Sequence, residues 1–334
     1  MAEFDPLDIV YSPQQIFDIG TRYLDYRRQN KGAGIPLYLK SLDEPDKDGN
    51  VLLPLLGGEL VTVIGRPGNG KTGFMMRWAR ERAKRLKAAG ITDRVVIYAS
   101  WEQSVEELHA FNVAAEAREN HSTIDATKMA RGIITDQEWD DIVKAGANRV
   151  ELPLWFIGHS MERRKKRPRI TMTALGQALD SIEKWNDDTM QIDMVFVDYL
   201  QRIPTEGRVE SKTIGVSDNL DRLKDGALAF GCPMVVGVQA TREVDNRDLP
   251  IPQMNDGQWT SNVEQASDCI ISVVRPRKYK NELERFGSIT VKGHCQMLIS
   301  VIKRKLGPDN FAKWVYFAPE YNKLDELEQK YGGI

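Results

Sequence analysis

The segment "LVTVIGRPGNGKTGFMMRWARERAKRL", residues 60–86, carries three patterns in succession. A β-branched apolar run ends at Gly65, a glycine-rich turn follows, and a helix-forming stretch begins at Thr72. The turn, Gly65 to Thr72, fits G-x-x-x-x-G-K-[ST], and its setting between a strand and a helix is the one that phosphate-cradling chemistry requires. Gly68 and Gly70 let the backbone amides wrap an anion, and the helix N-terminus adds partial positive charge. Lys71 is then placed for the β and γ phosphates of a nucleoside triphosphate such as ATP, and Thr72 for Mg²⁺. The phosphate-binding set is Gly65, Arg66, Pro67, Gly68, Asn69, Gly70, Lys71, Thr72 and Gly73.

On either side of this motif, strand and helix patterns alternate. The runs 60–65, 94–100, 152–158, 193–200, 233–239, 269–274 and 297–302 are rich in Val, Ile and Phe. Helical patterns over 72–89, 103–118, 171–186 and 216–230 separate most of them. Continuous apolar runs imply strands buried on both faces, so the expected class is α/β, with a mainly parallel sheet covered by helices. One large domain over 35–320 fits this pattern. It is preceded by an arm and helix within 1–34 and followed by a polar helix or tail over 321–334.

Composition narrows the function classes. At 334 residues with 41% apolar content, the chain can bury a sizeable core. No run of about 18 apolar residues and no signal-peptide pattern is present, so a soluble cytoplasmic protein is expected, with no membrane partner. Cys232, Cys269 and Cys295 are far apart and suggest neither a disulfide framework nor a zinc site. The net charge of −2 does not itself point to nucleic acid. The run "RRKKRPR", 163–169, is either a solvated face or an anion contact.

Other candidate residues lie at strand ends. Asp198 ends "DMVFVD", where a merely buried carboxylate would be costly, and is expected to orient Mg²⁺. Glu102 follows "VVIYAS" and is the candidate to position or deprotonate the attacking water. Gln239 ends "MVVGVQ" and is placed to sense the γ-phosphate. Residues 12–29 read as a helix with Ser12 as N-cap, Pro13 at its first position, and Ile16, Ile19, Tyr23 and Tyr26 on one face. This helix either folds back on its own domain or docks on a neighbouring subunit.

Taken together, "GRPGNGKT", "YASWEQS", "VDYLQRI" (197–203), "VVGVQATREVDNR" (235–247), "VEQASD" (263–268) and the cationic strand end before Gly307-Pro308 resemble the C-terminal ATPase domain of DnaB-type replicative helicases. The likeness spans about residues 12–318. It implies a RecA-like P-loop NTPase core, a ring of six subunits joined through linker helix 12–29, and ATP-driven movement along single-stranded DNA with unwinding of duplex. Replication or loader proteins are the implied partners.

The resemblance also places Lys303 and Lys305, with Arg304 between, at a subunit boundary facing a neighbour's γ-phosphate. Alternation along a strand puts the two lysines on one side and Arg304 on the other, unless a bulge swings Arg304 into the role. Arg202, Arg208 and Lys212 lie in the loop that lines the central channel of RecA-like motors. The chain departs from the family pattern in two further respects. No separate N-terminal helical domain is expected ahead of the linker helix. Gln258 and Trp259 also stand where relatives have an Arg-Glu pair in the DNA-facing loop; Trp259 could stack on a base. The replacements leave open a second reading, a RecA-like ATPase that switches protein assembly without unwinding.

Overall fold

Aliphatic and β-branched residues build six strands: β1 (Leu60–Gly65), β2 (Arg94–Ser100), β3 (Leu154–Ile157), β4 (Gln191–Asp198), β5 (Met234–Gln239) and β6 (Cys269–Val274). The computed structural model describes residues 10–29, 34–120, 122–162, 168–207, 210–258, 262–276, 285–286, 289–290 and 295–327. In it the six strands run parallel in the order β6-β1-β5-β4-β2-β3. A separate two-stranded ladder pairs β7 (Arg285–Phe286) with β8 (Ile289–Thr290). Beyond β6 the main sheet continues antiparallel through β9 (Gln296–Arg304), β10 (Phe311–Ala318) and β11 (Lys323–Glu326), making nine strands.

The helices are α1 (Pro13–Gln29), α2 (Lys40–Asp43), α3 (Lys71–Ala88), α4 (Val105–Glu119), α5 (Ala126–Arg131), α6 (Asp136–Val150), α7 (Met172–Glu183), the kinked turn α8 (Trp185–Asp188), α9 (Lys212–Ala229) and α10 (Val263–Ala266). Every residue of β1 is buried because both sheet faces are covered. Val61 and Val63 pack with Phe74, Trp78 and Ala79 of α3. Leu60 and Ile64 face the other layer, where Leu175 and Leu179 of α7 meet Leu220 and Leu223 of α9. Trp78 sits edge-on to Phe196, and its indole N–H donates to the Pro36 carbonyl at 2.8 Å. Arg77 donates to the carbonyls of Leu37 and Tyr38, so the segment before β1 is strapped onto α3.

Several elements differ from the sequence reading. α9 begins at Lys212, capped by Ser211, four residues before the expected start. Lys212 therefore stands on a helical first turn and not in a loop. α7 stops at Glu183, because Asn186 and Asp187 take left-handed backbone conformations that end the helical path. α5 and α6 were not expected at all, although Thr135 and Glu138 form a reciprocal capping box at the start of α6. The largest correction lies at the C-terminus. Residues 311–318 form a strand, and 323–326, expected as a polar helix or tail, form the outermost strand of the sheet. Its charged residues suit an exposed edge, where they discourage pairing with another chain.

Candidate nucleotide-binding site

At the C-terminal end of β1 the turn adopts the shape its glycines allow. Gly68 and Gly70 have φ of 75° and 88°. A Cβ on Gly70 would also meet Met297 Cε at 2.5 Å and Phe317 Cε1 at 2.7 Å. Any side chain there would clash as well as strain the backbone. α3 starts immediately after, at Lys71, presenting its unpaired N–H groups to the turn.

Lys71 Nζ donates to the Gly65 carbonyl at 2.8 Å and the Arg66 carbonyl at 3.4 Å. Burial pulls its pKa from 10.5 down to about 8, despite the opposing pull of Asp198 and Glu102. An ammonium held this way gains strongly from an incoming polyphosphate. Thr72 Oγ1 donates to Asp198 Oδ2 at 2.7 Å, and the Tyr98 hydroxyl donates to the same oxygen at 2.9 Å. The other oxygen, Asp198 Oδ1, is buried without a hydrogen-bond partner. Burial raises the Asp198 pKa, opposed by these two donors and by Lys71. A carboxylate oxygen orphaned beside a threonine hydroxyl fits a divalent cation, which would need few protein ligands if phosphates supplied the rest.

Glu102, just past β2, lines the same cleft, and its pKa is raised by burial and then by the nearby Asp198 charge. The cleft holds about 390 Å³ and also admits Gln239. Gln239 is clamped through its backbone: its N–H donates to Gln201 Oε1 at 3.1 Å, and its carbonyl accepts from Gln201 Nε2 at 3.3 Å and the Gln258 N–H at 2.8 Å. Gln201 Nε2 also donates to the Gln258 carbonyl at 2.9 Å. One side chain thus ties the end of β5 to the loop carrying Gln258.

Arg66 departs from a phosphate role for its side chain. Its guanidinium pairs with Asp245 at 2.8 Å and donates to the Ala240 carbonyl, linking the phosphate turn to the segment after β5. Asn69 is buried and its Oδ1 accepts the Arg275 N–H at 3.0 Å. Arg275, Phe317, Asn322 and Phe111 line the cleft and were missed by the sequence reading. Phe317 and Asn322 follow from the unrecognised strands at the C-terminus, where alternation in "FAKWVYFA" was the available signal.

The cationic strand end lies elsewhere. β9 runs antiparallel to β6, and Lys303 opposes Ile270 near the start of β6, at the end of the sheet away from the phosphate turn. None of the three cations can therefore serve the site of its own chain. Lys303 Nζ donates to the carbonyls of Glu264 and Ser267, and Lys305 Nζ pairs with Asp268 at 3.4 Å. The ladder is indeed irregular beside Lys303, with its register shifting between Ile270 and Ile271. Even so, Arg304 does not turn outward. It is buried, paired with Glu59 at 3.0 Å, and donates to the carbonyls of Leu53 and Pro54. The idea that a bulge could bring Arg304 into a catalytic role is corrected: its ion pair is structural.

Of the expected DNA-facing residues, Arg202 is exposed in the turn after β4, and Gln258 borders the Gln201 clamp. Arg208 and Trp259 lie outside the described residues, as does most of the basic run 163–169. Arg169, at the end of that run, donates to the Thr205 carbonyl at 3.0 Å. Among the described residues no helix is long and apolar enough to cross a membrane.

Comparison with known proteins agrees with this geometry. The family described as DnaB-like helicase C terminal domain matches residues 42–326. The replicative DNA helicase DnaC of Bacillus subtilis is 24% identical over 307 residues, covering 92% of this chain and 59% of that protein. The replicative DNA helicase DnaB of Leifsonia xyli is 24% identical over 295 residues, covering 88% and 56%. The chain thus spans somewhat under six-tenths of the length of these relatives. Among solved structures, an isolated ATPase domain superposes with a TM-score of 0.76 at 19% identity, covering 95% of this chain and all of that one. A DnaB-like replicative helicase, studied with its interactions with primase, gives 0.73 at 19%, covering 94% and 67%. The expected RecA-like fold is therefore the observed one. With more than half of its length matched by the family pattern, the chain belongs to the DnaB-like helicase C-terminal domain family.

Proposed function

We propose that this chain is an Mg-ATP-hydrolysing motor that translocates along single-stranded DNA as a ring, six subunits by resemblance, and unwinds duplex. The observation that carries it is the convergence of Lys71, Thr72, Asp198 and Glu102 on one cleft, with Asp198 Oδ1 unpartnered and aimed where a cation is needed. Lys71 and the N–H groups opening α3 bind the phosphates. Thr72 and Asp198 would hold Mg²⁺, which when bound neutralises charge developing on the phosphoryl oxygens. Glu102 orients the attacking water and takes its proton, a task suited to a carboxylate whose pKa is raised.

The position of Lys303 and Lys305, away from their own chain's phosphate turn, supports a role toward a neighbouring subunit's nucleotide. So does α1, whose Ile16, Phe17, Tyr23 and Leu24 are all more than half exposed in the single chain and offer an apolar face to a neighbour. Gln201 links nucleotide state to DNA contact, because it holds both Gln239 and Gln258. Gln201→Leu is expected to leave ATP hydrolysis without DNA within about threefold of wild type and to abolish most of its stimulation by single-stranded DNA. Equal stimulation in both proteins would remove Gln201 from the coupling.

The second reading, an ATPase that switches protein assembly, is favoured by the uncharged Gln258 where relatives carry a cation. Rates of ATP hydrolysis with and without single-stranded DNA, together with native mass in a nonhydrolysable nucleotide, separate the two. The motor reading expects several-fold stimulation and a ring. A monomer without stimulation overturns it, while an assembly without stimulation supports the switch.

A further inference from the structure

At the end of the cleft away from Glu102, one polar group has nothing to bind. Asn322 is 3% exposed, yet its Nδ2 has no hydrogen-bond partner while its side chain lines the cleft. Its backbone sits in the left-handed region at φ 45°, ψ 35°, closing the turn Pro319–Tyr321, and its own N–H donates to the Pro319 carbonyl. The tertiary fold thus holds the amide in place through a conformation that asparagine tolerates well. A Cβ on Gly73 would come within 2.8 Å of Asn322 Oδ1 and 2.6 Å of Phe317 Cζ. The amide and the ring therefore abut the residue that follows Thr72.

The surroundings are flat and largely apolar. Phe317 forms one wall, with the Arg275 guanidinium over its ring at 5.4 Å, and Phe111 and Met76 line the same space. A ligand fitting here is a planar ring with an acceptor in its plane, directly continuous with a triphosphate on α3. We infer that Asn322 is a specificity-determining residue that donates from Nδ2 to a ring acceptor of the nucleobase, while Phe317 and Phe111 hold the ring by its apolar surface. The inference rests on the nucleotide reading of the cleft. It goes further by assigning the recognition of the base, as opposed to the phosphates, to residues at the C-terminal edge of the sheet.

The test compares ATP with inorganic tripolyphosphate, which offers phosphates without a base, in binding titrations with Mg²⁺ on the full chain. Wild type is expected to bind ATP at least tenfold more tightly than tripolyphosphate. Asn322→Asp replaces the donor with an acceptor, and Asn322→Gly removes the amide; both residues accept the left-handed backbone. Each variant is expected to lose about tenfold in ATP affinity, the scale of one lost hydrogen bond in a dry site. Tripolyphosphate affinity in Asn322→Gly stays within twofold of wild type. Equal loss for both ligands, or no loss for ATP, overturns the assignment. Equal affinity of wild type for the two ligands overturns it without any variant. If wild type binds neither, the nucleotide reading itself falls and takes this inference with it.

Discussion

Lys71→Ala is expected to lower ATP hydrolysis by roughly 10²–10³-fold, the usual scale for deleting one preorganised charge aimed at a reacting phosphoryl group. The geometry explains why nothing else can substitute. Lys71 Nζ is held over the turn by two carbonyls, and Arg66, the next cation along the chain, is committed to Asp245 and Ala240. The same change should not weaken the fold in proportion. The depression of the Lys71 pKa from 10.5 to about 8 corresponds to about 3 kcal/mol working against the buried ammonium. Between pH 8 and 10.5 the unfolded chain binds this proton more readily than the folded one, so the Lys71 contribution to stability improves as pH rises through that window. Below pH 8 the penalty is present in full, and alanine removes it along with the packing of the lysine stem. At about pH 7 the variant is expected to melt within a few degrees of wild type, by circular dichroism. A hydrolysis rate unchanged by the substitution would remove Lys71 from the site.

Arg304→Ala should act in the opposite way, lowering stability by about 3–5 kcal/mol, the range for breaking one partner out of a buried ion pair. The arginine is 5% exposed, and its loss strands Glu59 Oε1 and two backbone carbonyls, those of Leu53 and Pro54, beneath β9. Lys305→Ala, by contrast, removes a side chain that is 67% exposed, and Asp268 keeps Lys224 at 2.6 Å. A cost of at most about 1 kcal/mol is expected for it. Urea unfolding of the two variants measures the difference, and hydrolysis per folded molecule completes the comparison. The assembled protein should lose activity in Lys305→Ala. A stable, fully folded Arg304→Ala variant without ATPase would instead make Arg304 the trans-acting group.

These two residues also show where reading along the chain succeeds and where it stops. Lys71 is legible because its partners are local: the strand before it, the glycines beside it and the helix it opens are contiguous in sequence, and each leaves a mark on composition and spacing. Asp198 and Glu102 are legible for a related reason, since carboxylates at the ends of parallel strands meet ligands on one edge of any such sheet. Lys303, Arg304 and Lys305 could be assigned opposite faces from strand alternation alone. Which face was interior depended on Glu59, 245 residues away in sequence.

The phosphate half of the site, the parallel α/β core and the burial of its strands were thus contained in the amino-acid pattern, because short-range geometry and hydrophobic periodicity impose them. The tertiary structure alone decided the base end of the cleft, the Gln201 clamp, and the conversion of "KLDE" from an apparent tail into an edge strand. The clamp spans 38 residues of sequence, and the base end brings Phe317 and Asn322 against Gly70 and Gly73 from the far end of the chain. Such contacts leave no periodic trace in the chain, because the energy that selects them appears only when the distant surfaces meet.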